Sequence, residues 1–247
     1  MGPSDYAIFL DDGGVMNDNL KRGHQWQMLV GEFFSCRYGG KAEVWAEANK
    51  NVIDVVIEIS TSLHDTPDVD YETSKGETIR SWVEGMFNGA GRGLPPSSEY
   101  EDIFYSTARY VTPKVRAAYP GVVESIRALH EMGFTLHTAS AEDSIDLDGY
   151  LTGMGVKELF SGLYGTDLIE TWKLDGRFYR AILRDVGISA RHAIIVDDSP
   201  KMLGHARELG AHVIQACLTG DHQPSFPHYL THMGDLPQVV ERVVGDV

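Results

Sequence analysis

A short apolar run that ends at two carboxylates and two glycines places the strongest constraint on the fold of this chain. The run spans Ala7–Leu10, and Asp11, Asp12, Gly13 and Gly14 follow it. A continuous apolar run of this length is typical of a strand buried on both faces, as in a parallel sheet. Ligands bind beyond the carboxyl ends of such strands. Because the glycine backbone can bend tightly there, Asp11 is a candidate nucleophile.

Composition limits the classes of protein to which the chain can belong. Its 247 residues suit one large domain or a core with a smaller insertion. No segment approaches the ~18 continuous apolar residues of a membrane span. A net charge of −15 argues against a nucleic-acid partner, which requires clustered positive charge. The chain enters its first strand without a signal peptide, and Cys36 and Cys217 are too few for a disulfide framework, so we expect a cytoplasmic protein of unknown oligomeric state.

Helical spacing replaces strand spacing after Asp18. Apolar residues recur at helical intervals in four segments: Trp26, Leu29, Phe33 and Phe34; Trp45, Ala48, Val52, Val55, Val56 and Ile59; Ile79, Val83, Met86 and Phe87; and Ile103, Phe104, Thr107 and Ala108. The polar stretch Asp65–Ser74 is interpreted as a loop. The sequence therefore predicts a helical domain over residues 19–115, inserted into a core formed by residues 1–18 and 116–247.

Strands and helices alternate from Tyr119 onward. Strands are predicted over Phe134–Ser140, His192–Val196 and His212–Ala216, and residues 159–169 form either a strand or an irregular segment. Ser199 and Pro200 are typical of the N-cap and first residue of a helix. The alternation predicts a three-layer, Rossmann-like α/β core in which helices cover both faces of a parallel sheet.

Four separated positions carry a family resemblance. The segment Asp11–Asp18 resembles the first motif of the haloacid dehalogenase (HAD) superfamily. A rival alignment would place Leu10 at the nucleophile, but the Gly-Gly-Val spacing and Asp18 favour Asp11. Ser140 ends the second predicted strand, Lys173 precedes a helix, and the pair Asp197-Asp198 ends a buried strand, all in the order of the later HAD motifs. The resemblance is to subfamily I, and it implies that the inserted helical domain is a C1-type cap.

The resemblance implies a Mg²⁺-dependent phosphatase that acts on a small phosphorylated metabolite. Asp11 would form an aspartyl-phosphate, Lys173 would hold nucleophile and phosphate together, and Ser140 would bind the transferring group, with Thr138 as the competing candidate. The implied metal ligands are Asp11, the Gly13 carbonyl, Asp198 and Asp197, the last either direct or in the outer shell.

Gly13 departs from the family pattern, because most HAD phosphatases have an acid/base aspartate two positions after the nucleophile. Asp12 is a poor substitute, since adjacent side chains at a strand end point to opposite faces. His24, Asp18 or water remain candidates, and the departure predicts a preference for good leaving groups. Two alternatives stay open: a 2-haloacid dehalogenase or phosphonate-cleaving relative, and a pseudo-phosphatase that binds phospho-ligands with little turnover.

Overall fold

The apolar run near the N-terminus forms a strand in the interior of a parallel sheet. The computed structural model describes residues 2–64 and 70–245. Within these ranges the strands are β1 (Ala7–Leu10), β2 (Thr135–Ala139), β3 (Phe160–Tyr164), β4 (Ala193–Asp197), β5 (His212–Ala216) and β6 (Tyr229–Leu230). They form one sheet in the order β3-β2-β1-β4-β5-β6, with every neighbouring pair parallel. The carboxyl ends of all these strands therefore meet at one edge.

The predicted strands are confirmed to within one or two residues at their ends. In the segment over residues 159–169, which the sequence left open between strand and irregular structure, β3 occupies residues 160–164. β6 was not predicted, because two residues are too few to carry a periodic pattern.

The described chain also contains α-helices. They are α1 (Asn19–Tyr38), α2 (Ala42–His64), α3 (Tyr71–Gly89), α4 (Tyr100–Val111), α5 (Val122–Glu131), α6 (Ser144–Met154), α7 (Gly176–Val186), α8 (Pro200–Glu208) and α9 (Leu236–Gly245). The predicted start of α8 is confirmed, because the Ser199 side chain accepts a hydrogen bond from the Met202 N–H and Pro200 is the first helical residue. None of the described helices combines the length and hydrophobicity that crossing a bilayer requires.

The alternation of side chains along β1 builds two hydrophobic layers. Ile8 and Leu10 belong to a buried cluster that includes residues of α5, α6 and α9. Ala7 and Phe9 belong to the opposite cluster, which includes residues of α7 and α8. Since all four residues of β1 are at most 2% exposed, the strand is buried on both faces, and the predicted three-layer α/β fold is confirmed.

The chain divides into two compact units, Met1–Asn19 with Ala117–Val247, and Leu20–Arg116. The second unit contains α1 from Leu20 onward, together with α2, α3 and α4. Its core is aromatic: the ring of Phe34 lies 4.9 Å from that of Trp45, 5.7 Å from Trp82 and 6.0 Å from Phe87. The function of this unit as a substrate-selecting cap stays a prediction.

Two details of the predicted helical domain are corrected. The loop assigned to Asp65–Ser74 is too long, because Asp70 caps α3 by accepting a hydrogen bond from the Thr73 N–H and the helix begins at Tyr71; residues 65–69 lie outside the described part of the chain. Val55 was placed on the apolar stripe of α2, but its side chain is 50% exposed. The Ile59 side chain of that stripe also lies outside the described part.

Candidate active site

Three neighbouring strands bring the predicted site residues to one edge of the sheet. Asp11 follows β1, Ser140 follows β2, and Asp197 is the last residue of β4, with Asp198 next to it. β1 lies between β2 and β4. Because parallel strands present their carboxyl ends together, positions far apart in the sequence converge here.

Lys173 lies between two of these carboxylates. Its Nζ is 2.9 Å from Asp11 Oδ1 and 2.7 Å from Asp197 Oδ2, and its side chain is 4% exposed. The lysine precedes α7, whose N-terminus is capped by the Asp175 side chain. Burial alone would lower the pKa of Lys173, but Asp11 and Asp197 outweigh it and raise that pKa above its ordinary value. The side chain therefore carries a fixed positive charge.

The two oxygens of the Asp11 carboxylate have different surroundings. Oδ1 accepts hydrogen bonds from Lys173 and from the Asp12 backbone N–H at 2.8 Å. Within the described residues, no hydrogen bond reaches Oδ2. A carboxylate held through one oxygen leaves the other in a defined direction, which is the geometry that nucleophilic attack requires.

The Asp197 carboxylate is bonded through both oxygens. Oδ2 accepts hydrogen bonds from Lys173 and, at 2.9 Å, from the Tyr179 hydroxyl, while Oδ1 accepts one from the Ser199 N–H at 2.8 Å. Asp197 is 1% exposed. These three donors compensate the desolvation of the carboxylate. They also fix its orientation, which therefore does not require contact with a metal ion.

The carboxylates of Asp11, Asp197 and Asp198 form an acidic cluster. One oxygen of each lies within 4.8 Å of the others. Burial, opposed by Lys173 and reinforced by Asp197 and Asp198, raises the pKa of Asp11 from 3.8 to about 7. Burial and Asp197 also raise the pKa of Asp198. Clustered carboxylates in which the charged form is disfavoured fit a hard divalent cation such as Mg²⁺, which takes oxygen ligands.

Gly14 makes room for Asp198. It has a φ of +78°, and a Cβ at this position would lie 2.1 Å from Asp198 Oδ2. Any larger residue would therefore displace the carboxylate in addition to straining the backbone. Gly13 lies beside it in the same turn, where it forms an isolated bridge with Asn17. The use of its carbonyl as a metal ligand stays a prediction.

Asp12 is turned away from the cluster. It is fully buried, and its Oδ1 accepts a hydrogen bond from Asn17 Nδ2 at 2.7 Å. Its backbone carbonyl accepts the N–H groups of the following turn. Leu10, which the rival alignment would place at the nucleophile, is a fully buried core residue that belongs to the first hydrophobic cluster. Of the first acidic pair, only Asp11 belongs to the cluster.

Ser140 and Thr138 occupy different environments. Thr138 lies inside β2, where its hydroxyl donates to a backbone carbonyl of β3 at 3.3 Å. Ser140 is the first residue beyond β2, and its Oγ accepts the Glu142 N–H at 3.3 Å. Its position at the active edge of the sheet favours Ser140 for phosphate binding, although that role stays a prediction. His24 lies on α1 in the other unit, and its role as an acid also stays a prediction.

Tyr179 was missed by the sequence reasoning. It lies in the first turn of α7, six positions after Lys173, on a face that otherwise carries Phe178, Ile182 and Leu183. The available signal was a hydroxyl on an apolar helix face just after a candidate catalytic lysine, since a buried tyrosine O–H requires an acceptor.

Comparisons with known proteins identify a family whose model matches more than half of the chain. The family model of haloacid dehalogenase-like hydrolases matches residues 39–210. A phosphoglycolate phosphatase of Rhodospirillum rubrum is 28% identical over 98 residues, which span 40% of this chain and 41% of that protein. The structure of a 2-haloacid dehalogenase from Pseudomonas syringae pv. Tomato DC3000 gives a TM-score of 0.66 at 16% identity and covers 96% of this chain and 98% of its own. A magnesium-bound HAD-hydrolase from Bacillus subtilis gives a TM-score of 0.64 at 13% identity, with 95% and 98% covered. At these identities the structural likeness concerns the fold alone.

Proposed function

Because the chain belongs to the haloacid dehalogenase-like hydrolase family, we propose that it is a Mg²⁺-dependent phosphatase of small phosphorylated metabolites, with Asp11 as its nucleophile. The observation that carries the proposal is the buried contact of Lys173 with Asp11 Oδ1, which leaves Oδ2 without a donor among the residues that the structure describes. The acidic cluster supports the cation requirement. The partial similarity to a phosphoglycolate phosphatase supports a phosphate ester as substrate.

The proposed reaction consists of two successive displacements at phosphorus. Asp11 Oδ2 attacks phosphorus, the bond from phosphorus to the leaving oxygen breaks, and an aspartyl-phosphate forms while the leaving oxygen takes a proton from solvent. Water then attacks phosphorus and gives up a proton to solvent, the bond to Asp11 breaks, and inorganic phosphate leaves. Lys173 holds Asp11 in its attacking orientation throughout, and its charge stabilises the phosphoryl oxygens. Ser140 donates a hydrogen bond to one of those oxygens.

A divalent cation would be held by Asp11 and Asp198, with the Gly13 carbonyl as a further oxygen ligand and Asp197 in the outer shell. When bound, Mg²⁺ neutralises repulsion between the Asp11 carboxylate and the phosphate and polarises the phosphoryl group. The fit rests on the donor set: the carboxylate oxygens lie within 4.8 Å of one another, and the two oxygens of Asp197 already accept three hydrogen bonds.

A screen of phosphorylated metabolites, phosphoglycolate included, tests the proposal. We expect phosphate release with Mg²⁺, none with a chelator, and none from Asp11→Asn. Detection of phosphorylated Asp11 by mass spectrometry after acid quench would support the covalent route. Release of phosphate by Asp11→Asn at the wild-type rate would refute it.

The alternative activities are outcomes of the same experiment. A 2-haloacid dehalogenase would release chloride from 2-chloropropionate in the presence of chelator, since carbon is attacked without a cation. A phosphonate-cleaving relative would release phosphate from a phosphonate but from none of the esters. A pseudo-phosphatase would bind beryllofluoride at Asp11 and release nothing from any substrate.

A further inference from the structure

Tyr179 contacts the same carboxylate oxygen that holds the catalytic lysine. Its hydroxyl donates to Asp197 Oδ2 at 2.9 Å, and Lys173 Nζ lies 2.7 Å from that oxygen. Tyr179 and Asp197 are each 1% exposed. The hydroxyl is therefore screened from solvent, and this hydrogen bond is made in the interior, where charge-assisted bonds are strong.

Lys173 is shared between two carboxylates that compete for it. Asp11 lies on one side at 2.9 Å and Asp197 on the other at 2.7 Å. The lysine stem is flexible, so the position of the ammonium depends on how strongly each carboxylate attracts it. A second hydrogen-bond donor to Asp197 stabilises its negative charge and so weakens the attraction of Asp197 for Lys173. The contact of Lys173 with Asp11 is then favoured.

Tyr179 is that donor. The Ser199 N–H at 2.8 Å fixes Asp197 Oδ1, whereas Oδ2 accepts only the tyrosine hydroxyl and Lys173 among the described residues. Without the hydroxyl, Oδ2 would have the ammonium as its single donor. We expect Lys173 then to move toward Asp197 and its contact with Asp11 Oδ1 to lengthen.

We propose that Tyr179 is a positioning residue, whose hydroxyl holds Asp197 so that Lys173 stays on Oδ1 of Asp11 and Oδ2 keeps its attacking direction. The proposal rests on the proposed function for its kinetic consequence. It concerns a residue that does not contact substrate and acts through Asp197 and Lys173.

The chain provides a matched control. The Tyr164 hydroxyl donates to Asp185 Oδ2 at 2.7 Å, which is also a tyrosine–carboxylate hydrogen bond in the same unit, but neither partner contacts Lys173 or Asp11. Tyr164→Phe therefore removes a part-buried tyrosine–carboxylate hydrogen bond that lies outside the acidic cluster. An effect of Tyr179→Phe that exceeds that of the control reports the burial of its hydrogen bond and its place beside Lys173.

The test compares wild type, Tyr179→Phe and Tyr164→Phe with p-nitrophenyl phosphate and saturating Mg²⁺. Loss of an outer-shell partner typically costs about 10–100-fold. We expect kcat of Tyr179→Phe to fall by that factor with KM changed less than about threefold, while Tyr164→Phe retains both parameters. Equal kcat values for the two variants would overturn the proposal, and so would an effect of Tyr179→Phe on KM alone.

Crystal structures of wild type and Tyr179→Phe separate this inference from the proposed function. We expect the distance from Lys173 Nζ to Asp11 Oδ1 to exceed hydrogen-bonding range in the variant. An unchanged distance refutes the positioning role, whether or not the protein hydrolyses phosphate esters. Absence of any phosphatase activity in wild type, with the distance lengthened in the variant, refutes the proposed function and leaves the positioning role supported.

Discussion

Replacing Asp11 by asparagine removes one charge from the acidic cluster and conserves its shape. The asparagine oxygen can still accept the hydrogen bonds from Lys173 and from the Asp12 N–H that Oδ1 accepts in wild type. What disappears is the ionisation of a buried carboxyl whose pKa is raised from 3.8 to about 7. The variant therefore isolates how the free energy of unfolding depends on the charge of Asp11.

The direction in which stability changes with pH follows from the number of protons bound by the native and the unfolded chain. Between pH 4 and pH 7 the native carboxyl holds a proton that the unfolded chain has already lost, so wild-type stability falls as pH rises through this window. One pKa unit corresponds to about 1.4 kcal/mol. From pH 5 to pH 8 wild type should thus lose about 2–3 kcal/mol relative to Asp11→Asn, or roughly 4–12 °C in thermal midpoint for a chain of this size. Both proteins contain Asp197, Asp198 and Lys173, so the contributions of these residues to the pH dependence largely cancel.

The assay is thermal unfolding followed by circular dichroism, at several pH values from 5 to 8, in a chelating buffer. We expect the midpoint of Asp11→Asn minus that of wild type to increase steadily with pH. Excess Mg²⁺ should reduce the difference at pH 8, because the ionised wild-type cluster binds the cation. A difference that does not change with pH would refute the electrostatic reasoning.

Three further predictions concern neighbouring positions. Gly14→Ala places a Cβ 2.1 Å from Asp198 Oδ2, so we expect kcat to fall by at least about 10²-fold. The control is Gly91→Ala, at a φ of +63° with no atom within 4 Å of the added Cβ, which should strain the backbone and leave kcat unchanged. Equal losses of kcat in the two variants would contradict this prediction. Because Gly13 carries no acid, kcat/KM across a series of aryl phosphates should fall steeply as the leaving-group pKa rises, and Gly13→Asp should speed the poorest leaving groups by up to about 10²-fold; a flat series would count against the idea. Burial lowers the pKa of His137 to about 4, so the free energy of unfolding decreases as pH falls from 6.5 toward 4. His137→Phe should therefore show a smaller drop in thermal midpoint between pH 7 and pH 5 than wild type. An identical drop in the two proteins would exclude His137 as a source of acid sensitivity.

Local patterns in the sequence predicted the elements that carry the site. The apolar run of β1 predicted a strand buried on both faces, because only such a strand has no solvent-facing position. Ser199 and Pro200 predicted the start of α8 through capping chemistry that requires only neighbouring residues. The family resemblance, read from four short motifs, is confirmed by the family model over residues 39–210.

Local patterns failed where an element was short or a neighbour overrode its periodicity. β6 has two residues, below the length at which alternation can be recognised. Asp70 caps α3 within the stretch interpreted as a loop, because a polar run can equally contain an N-cap. Val55 fits the stripe of α2 by spacing alone, yet it is half exposed.

The sequence by itself determined that a carboxylate ends a central buried strand and that a second acidic pair ends another. Only the tertiary structure decided which polar atoms are in contact. Lys173 bridges Asp11 and Asp197, Asn17 donates to Asp12, and the Tyr179 hydroxyl donates to Asp197. The physical reason is range. Strand and helix patterns arise from contacts a few positions apart, whereas hydrogen bonds among buried charges depend on the packing of segments far apart in the chain, and no periodicity in the sequence records it.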